Sequence, residues 1–517
     1  MNASKTKVFR ILSSLNEVKW SMAFKGIVCG ISAGLLAVLY RLLIEFGNEK
    51  AVKIYGYLKG HPFMIFPWLA VIVLSGLFIA WMVKKEPMAA GSGIPQVEGV
   101  VLYGLKMKWL CVLAVRFAGG IISALFGLSL GREGPSIQIG AAGSQAVAEK
   151  ISKSKLEENY LITGGAAAGL SAAFNAPLSG MIFALEEVHR SFSPVILLAA
   201  TTSAITADVI SKYFFGLKPV LSFSKIVQMP VGLYVWLIPL GIVSGFSGVF
   251  INKLLLALQA RYKILPWFLR PCIALLVALP FGLFLPDVLG GGQNLIKMAE
   301  SASGGITILI TYFFFKLLFT SASFGSGVPG GIFMPILSVG ALSGSIVGIA
   351  ATHIGVPAEY IPGFAVCAMA GALSASVKAP VTSILLAAEM TGSLVHMLPV
   401  AACSFIALLL SDILKVTPLY EALLERYIQS NEKSVPMQEK GGLLEVPVEF
   451  GSAVSGKLVS EVQWPDGSLI VALKRGEKEF VPNGSTRIMP GDYLVILSSD
   501  DVERETHLNI RELCRSF

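Results

Sequence analysis

Charge is what this chain has least of. Only 14% of its 517 residues are Asp, Glu, Lys or Arg, against about 25% in soluble globular domains, while 54% are hydrophobic and the mean hydropathy is +0.71. An ordinary water-soluble fold is excluded by that balance. Cysteine is scarce as well: Cys29, Cys111, Cys272, Cys367, Cys403 and Cys514 are scattered, with no CxxC or Cys/His spacing, so no metal site is expected and they read as small core residues. The five histidines, His61, His189, His353, His396 and His507, are isolated and read as packing or surface groups rather than proton relays. No HExxH, GxSxG or paired catalytic set falls within the apolar segments, so neither an enzyme nor a cofactor is expected. The N-terminal stretch "MNASKTKVFRILSSLNEVKWSMAFK" lacks the apolar core and small-residue cleavage site of a signal peptide. Its basic character predicts a cytoplasmic location, and the net charge of +8 belongs to loops flanking membrane spans rather than to a nucleic-acid surface.

What the chain does have is long apolar runs. Met64–Val83, Leu233–Phe250 and Phe268–Pro286 approach the length that crosses a hydrocarbon core of about 30 Å, and more follow up to about residue 415. This predicts an all-α polytopic protein of the cell membrane with both termini cytoplasmic. The character changes after Tyr427. Ile428–Gly442 is polar and bears Pro and Gly, the profile of a linker. Beyond it, "LLEVPVEF", "SLIVALKR", "EFVP" and "YLVILSS" are strand-like runs separated by "PDG", "RGEKE", "PNGS" and "MPGD", which predicts a small α+β cytosolic domain. The expected organisation is an N-terminal segment 1–24, a membrane domain 25–427, a linker 428–442 and a C-terminal domain 443–517.

The membrane part repeats itself. "PSIQIGAAGS" from Pro135 resembles "PILSVGALSGS" from Pro335, 200 residues on, and "GLSAAFNAPLSGMIFALEE" resembles "GALSASVKAPVTSILLAAE", with Pro380 lying 203 residues beyond Pro177. A weaker pair, "GSGIPQV" from Gly91 and "GGGQNLI" from Gly290, is offset by 199. Three pairs in one register imply two homologous halves, about 25–217 and 230–427, and such repeats characterise transporters whose sites form from broken helices at the repeat interface.

Gly and Pro mark where the helices break: "GSGIP" (Gly91–Pro95), "GREGP" (Gly131–Pro135), "FNAPLSG" (Phe174–Gly180) and "GSGVPGGIFMP" (Gly325–Pro335). Non-helical backbone at membrane depth survives only in buried protein or beside a water-filled cavity. Helix N-termini carry free N–H groups and partial positive charge, so several converging would hold a small anion without a fixed cation and still release it. A cation site would instead want carboxylates or carbonyl ends aimed at the ion.

"GSGIP", "GREGP" and "GSGVPGGIFMP", in this order, resemble the signature of the CLC family of chloride channels and proton-coupled chloride antiporters, over about residues 20–427. The resemblance implies a homodimer whose subunits each hold an ion path made by a CLC-type inverted repeat of tilted, broken helices. It implies that the Ser92 and Tyr420 hydroxyls and the Ile332 and Phe333 amides bind chloride, with Gly91, Arg132 and Gly134 supporting the path. Glu133 is similar to the external gate. Glu187 resembles the internal proton-transfer glutamate of the antiporters, where many channel members have valine. Glu186 and Glu389 are repeat partners read as structural, and Glu98 as a buried structural carboxylate. Gln96 departs from some bacterial antiporters near the inner path. The implied function is secondary active exchange of chloride for protons, with a passive chloride channel of the same fold as the alternative and a cation transporter as a remote one. The stretch "SLIVALKRGEKEFVPNGSTRIMPGDYLVILSS" resembles the RCK-C (TrkA-C) module of potassium uptake regulators. That implies regulation by a small molecule or a nucleotide such as cyclic di-AMP, although "VQWPDGS" stands where nucleotide-binding members usually carry Arg and Asn. A dimerisation and stability role stays open beside it.

Overall fold

The computed structural model describes residues 2–430, apart from 154, 218, 222, 224 and 225, and residues 443–514, apart from 449–451, 476, 477, 499–508 and 511. They form two compact units, Met1–Tyr427 and Ile428–Phe517.

In the first unit the apolar runs are helical, because a chain in hydrocarbon must satisfy its own N–H and C=O groups. One half contains α1 (Asn2–Gly60), α2 (Ile65–Lys85), α3 (Ile94–Tyr103), α4 (Trp109–Leu125), α5 (Glu133–Ile151), α6 (Lys155–Phe174), α7 (Pro177–Phe183) and α8 (Pro194–Phe215). The other contains α9 (Leu237–Ile264), α10 (Leu269–Phe284), α11 (Gln293–Ser301), α12 (Gly305–Gly325), α13 (Phe333–Thr352), α14 (Ile361–Val377), α15 (Pro380–Thr391) and α16 (Met397–Ile413), and α17 (Leu419–Ser430) follows. Among the described residues seven helices are long and apolar enough to cross a membrane; the protein is a multi-pass membrane protein. Helix α1 runs unbroken across positions 24 and 25. Helix α17 continues through Ser430, since nothing in "YIQS" stops it, and the rest of the expected linker, 431–442, lies outside the described residues.

The halves match in backbone detail. Gly91 and Gly93 have φ of 62° and 95°, and Gly290 and Gly292 repeat them at 62° and 96°. Asn175 and its counterpart Lys378 are both left-handed, at 53° and 63°. Packing repeats too: α5 lies on α6 as α13 lies on α14, and α6 on α8 as α14 on α16. Contacts between the halves are reciprocal. Gly131 and Gly331 form an antiparallel bridge, each N–H donating to the other's carbonyl at 2.7 Å. The Glu186 carboxylate accepts from the Val381 and Thr382 amides at 3.2 and 2.8 Å, and that of Glu389 from the Leu178 and Ser179 amides at 3.1 and 2.7 Å. Each half thus caps the short Pro-initiated helix of the other. Such exchange of like contacts is the mark of a two-fold relation between the halves, and the Gly131–Gly331 bridge is one such reciprocal contact.

In the second unit all four strand-like runs are strands: β1 (Leu443–Pro447), β2 (Ser468–Arg475), β3 (Lys478–Phe480) and β4 (Tyr493–Ser498) form an antiparallel sheet of order β1-β4-β2-β3. Leu473, Leu494 and Ile496 bury one face against Ile488, Val454 and the helical Ile510 and Cys514. Asp492 of "MPGD" is buried, accepting from the Met489 amide at 2.7 Å and from Arg475 at 2.8 Å through both oxygens.

Candidate functional site

The three Gly/Pro motifs meet at the bridge. Gly91 donates to the Gly327 carbonyl at 3.3 Å and accepts from Gly330 at 3.0 Å, which ties "GSGIP" to "GSGVPGG". Gly134 lies against Ser92 so closely that a Cβ there would come within 2.5 Å of Ser92 Oγ and 2.7 Å of its carbonyl oxygen, and 3.4 Å of Gly331 Cα. The N-termini of α3, α5 and α13 therefore converge, and first-turn amides, including Phe333 beside the N-capping Ile332, have no carbonyl four residues back inside their own helix.

Two buried hydroxyls stand at this junction. Ser92 Oγ and the Tyr420 hydroxyl lie close to each other, and neither has a partner at hydrogen-bond geometry. A buried polar atom left this way calls for an explanation, and a ligand is one. The Tyr420 ring stacks on Phe333 with centroids 6.3 Å apart, and Phe333 is wedged in turn against Phe183 at 5.7 Å and Phe174 at 6.2 Å. These contacts fix both Tyr420 and the backbone at the start of α13.

Glu133 opens α5, and its buried carboxylate faces the amide of Met334 in the first turn of α13 while one oxygen, Oε2, is left without a partner. The carboxylate thus occupies a helix N-terminus, a natural seat for an anion. Arg132 beside it is engaged by Glu45 at 2.5 Å, which also takes Arg41 at 3.3 Å. Glu187 belongs to a separate group. It lies buried in a π-helical turn, Ala184–Val188, among Arg190, Glu98, Glu186 and Glu421. Tyr420 is within electrostatic reach of both Glu187 and Glu133. Glu98 is paired with Arg190 at 2.8 Å, and Gln96 donates to the Ala90 carbonyl at 2.9 Å, bracing the "GSGIP" loop.

Sequence reasoning passes over two residues here. Arg116, fully buried on α4, donates to Gln138 and, at 2.5 Å, to the Gly91 carbonyl; Lys316, fully buried on α12, donates to the Val288 and Gly290 carbonyls at 2.9 and 2.7 Å. Arg116 and Lys316 are 200 residues apart, as Gly91 and Gly290 are 199 apart. A basic residue in each of two apolar runs at the repeat offset is the signal that would have found them. Among the described residues neither forms an ion pair; each instead braces the backbone of the glycine turn of its own half through carbonyl groups.

An inverted pair of broken-helix repeats, joined around free helix N-termini and two unpartnered hydroxyls, defines a polytopic ion-transport protein. The chain belongs to the voltage gated chloride channel (CLC) family, whose model matches residues 75–412, and a TrkA-C domain matches residues 443–508. It is 33% identical over 440 residues to the H(+)/Cl(-) exchange transporter ClcA of Salmonella schwarzengrund (strain CVM19633), covering 82% of this chain and 92% of that one. Among solved structures, a slow cyanobacterial Cl-/H+ antiporter superposes with a TM-score of 0.74 at 28% identity, over 80% of this chain and 99% of that one. A CLC-type fluoride/proton antiporter, 23% identical with a TM-score of 0.60 over 75% of this chain and 95% of that one, shares the fold.

Proposed function

We propose that the protein exchanges chloride for protons across the membrane. The observation that carries this is the seat of the Glu133 carboxylate at the N-terminus of α13, with a second buried carboxylate, Glu187, acting on the same Tyr420 hydroxyl. A carboxylate at membrane depth costs about 2.5–3.5 kcal/mol on insertion scales and marks function. Ionised, Glu133 is itself an anion and competes with chloride for the α13 amides; protonated, it yields the seat. One seat shared by a proton carrier and a transported ion couples the two flows in opposite directions. Chloride is held by Ser92 Oγ, the Tyr420 hydroxyl and the Ile332 and Phe333 amides, with Gly91 and Gly134 allowing the backbone to close in and Arg132 shaping the outer approach. Glu187 passes protons at the other carboxylate group. The names of the relatives, an H(+)/Cl(-) exchange transporter and a Cl-/H+ antiporter, support the same reading. The TrkA-C match supports a regulatory C-terminal domain that takes a small molecule or nucleotide, within a homodimer whose termini are cytoplasmic.

The test is purified protein in weakly buffered liposomes under an imposed chloride gradient, with chloride and external pH recorded together. The unmodified protein drives protons uphill, Glu133→Gln passes chloride without driving protons, and Glu187→Gln weakens proton movement while chloride movement is largely kept. Uphill proton movement persisting in Glu133→Gln sinks the gate assignment, and chloride flux without protons in the unmodified protein favours a passive channel.

A further inference from the structure

Among the described residues Arg190 is the cation facing Glu187, and it is shared. It sits in the left-handed region at φ 52°, a conformation a non-glycine residue rarely takes unless its surroundings enforce it. Its Nη2 is 2.8 Å from Glu98 Oε1 and its Nη1 is 3.9 Å from Glu421 Oε2. Glu98 is 1% exposed, Arg190 22% and Glu421 24%, so Glu421 is the carboxylate of the three that opens to solvent, Glu187 being 5% exposed. The groups around Glu187 come from three segments: Glu98 with the nearby Tyr103 on α3, Glu186 on its own turn with Arg190 just beyond it, and Tyr420 and Glu421 on α17.

We propose that Glu421 is a positioning residue for proton transfer, drawing the Arg190 guanidinium away from Glu187 so that Glu187 can take up and hold a proton. This deepens the exchanger reading and rests on it. One guanidinium cannot balance three carboxylates in a poorly hydrated site, and like charges sharing a site do not all ionise together. Glu98 engages one edge of Arg190 at 2.8 Å, Glu421 approaches the other at 3.9 Å, and Glu187, which also faces Arg190, keeps Oε1 unpartnered among the like charges. Neutralising Glu421 removes one negative neighbour and frees the guanidinium edge for Glu187. Both changes favour the ionised form of Glu187, so a lower pH is needed to load it.

The experiment measures proton-coupled chloride turnover in liposomes of the full-length protein, against pH set equally on both sides, for the unmodified protein, Glu421→Gln, Glu421→Ser and Glu425→Gln. Glu425 lies one turn further along α17 and is exposed. The pH midpoint moves down by about one unit, a tenfold change in proton concentration, in Glu421→Gln and Glu421→Ser but not in Glu425→Gln, and the shift disappears in a Glu187→Gln background. An unmoved or raised midpoint in a folded Glu421 variant overturns the positioning role and leaves the exchanger reading standing. An unmodified protein that moves no protons overturns that reading, and this one with it.

Discussion

Gly134 shows how narrow the tolerances are at the junction of the three motifs. The left-handed backbone at Gly91 and Gly93 is a matter of conformation, but Gly134 is there for space, since any side chain at that position meets the Ser92 hydroxyl and carbonyl. The hydroxyl can turn away only by leaving its place, and the carbonyl cannot yield, because the Ser92 loop is pinned through Gly91 by Arg116 and by two backbone bonds to the opposite repeat. Overpacking of this kind costs about 1–3 kcal/mol. Gly134→Ala is therefore expected to displace Ser92 and lower chloride turnover about tenfold if about 1.4 kcal/mol of that strain is felt in ion binding. Chloride efflux from liposomes, with elution as a folded species in detergent, measures it; turnover and chloride dependence both unchanged would remove Gly134 and Ser92 from the ion's path. At this scale the sequence was most informative where a motif is dense, as at Ser92 and Glu133. It was least informative for Arg190, whose partners lie on other elements, and for Arg116 and Lys316, whose one trace is a basic residue in an apolar run recurring at the repeat offset.

Elements repeat more faithfully than residues do. The offsets of 199, 200 and 203 were legible because glycine and proline are needed wherever a helix must break, and the same breaks return with the same φ values. The two-fold relation of the halves was not legible, because it depends on which ends meet in space, and the reciprocal contacts show that; inversion belongs to the fold shared with the cyanobacterial Cl-/H+ antiporter. Glu186 and Glu389 illustrate the difference. Their matched positions appeared in the alignment of the halves; their use as caps on each other's repeat appeared only in three dimensions. Both carboxylates also take a hydroxyl, that of Thr382 at 2.7 Å and that of Ser179 at 2.5 Å. Hydrogen bonds to a charged acceptor are worth about 1.5–3 kcal/mol, and an amide oxygen replaces them only in part. Glu186→Gln and Glu389→Gln should each destabilise the protein by about 1–2 kcal/mol, to a similar extent, as judged by thermal unfolding in detergent. Function should break the symmetry. Glu186 adjoins Glu187 and acts on it, so only Glu186→Gln should also weaken proton movement. Equal effects of the two variants on the proton-to-chloride ratio would show the caps to be purely structural.

At the scale of the molecule, the chain joins two units of opposite character, a membrane unit rich in small residues and a four-stranded sheet with its own buried core. The change of composition after Tyr427 revealed that much in the sequence, and short apolar runs between turn signals located all four strands. A sheet of this kind announces itself in sequence because its short strands are set off by turn residues, whereas the membrane helices, apolar on most sides, say little about which face packs inward. Both repeats are complete by α16, and Tyr420 and Glu421 lie at the start of α17, so every proposed transport residue precedes the C-terminal unit. A protein ending at residue 440 should therefore fold and keep the proton-to-chloride ratio of the full-length chain. Under the proposed regulatory role its turnover should change, because such a domain acts by favouring one state of the transporter over another, and its removal shifts that balance by its differential interaction with the two states. Parallel chloride and proton flux measurements on the two proteins separate these effects. A changed ratio would mean that the C-terminal unit takes part in coupling itself, and an identical turnover under all ligand conditions would reduce it to a module for stability.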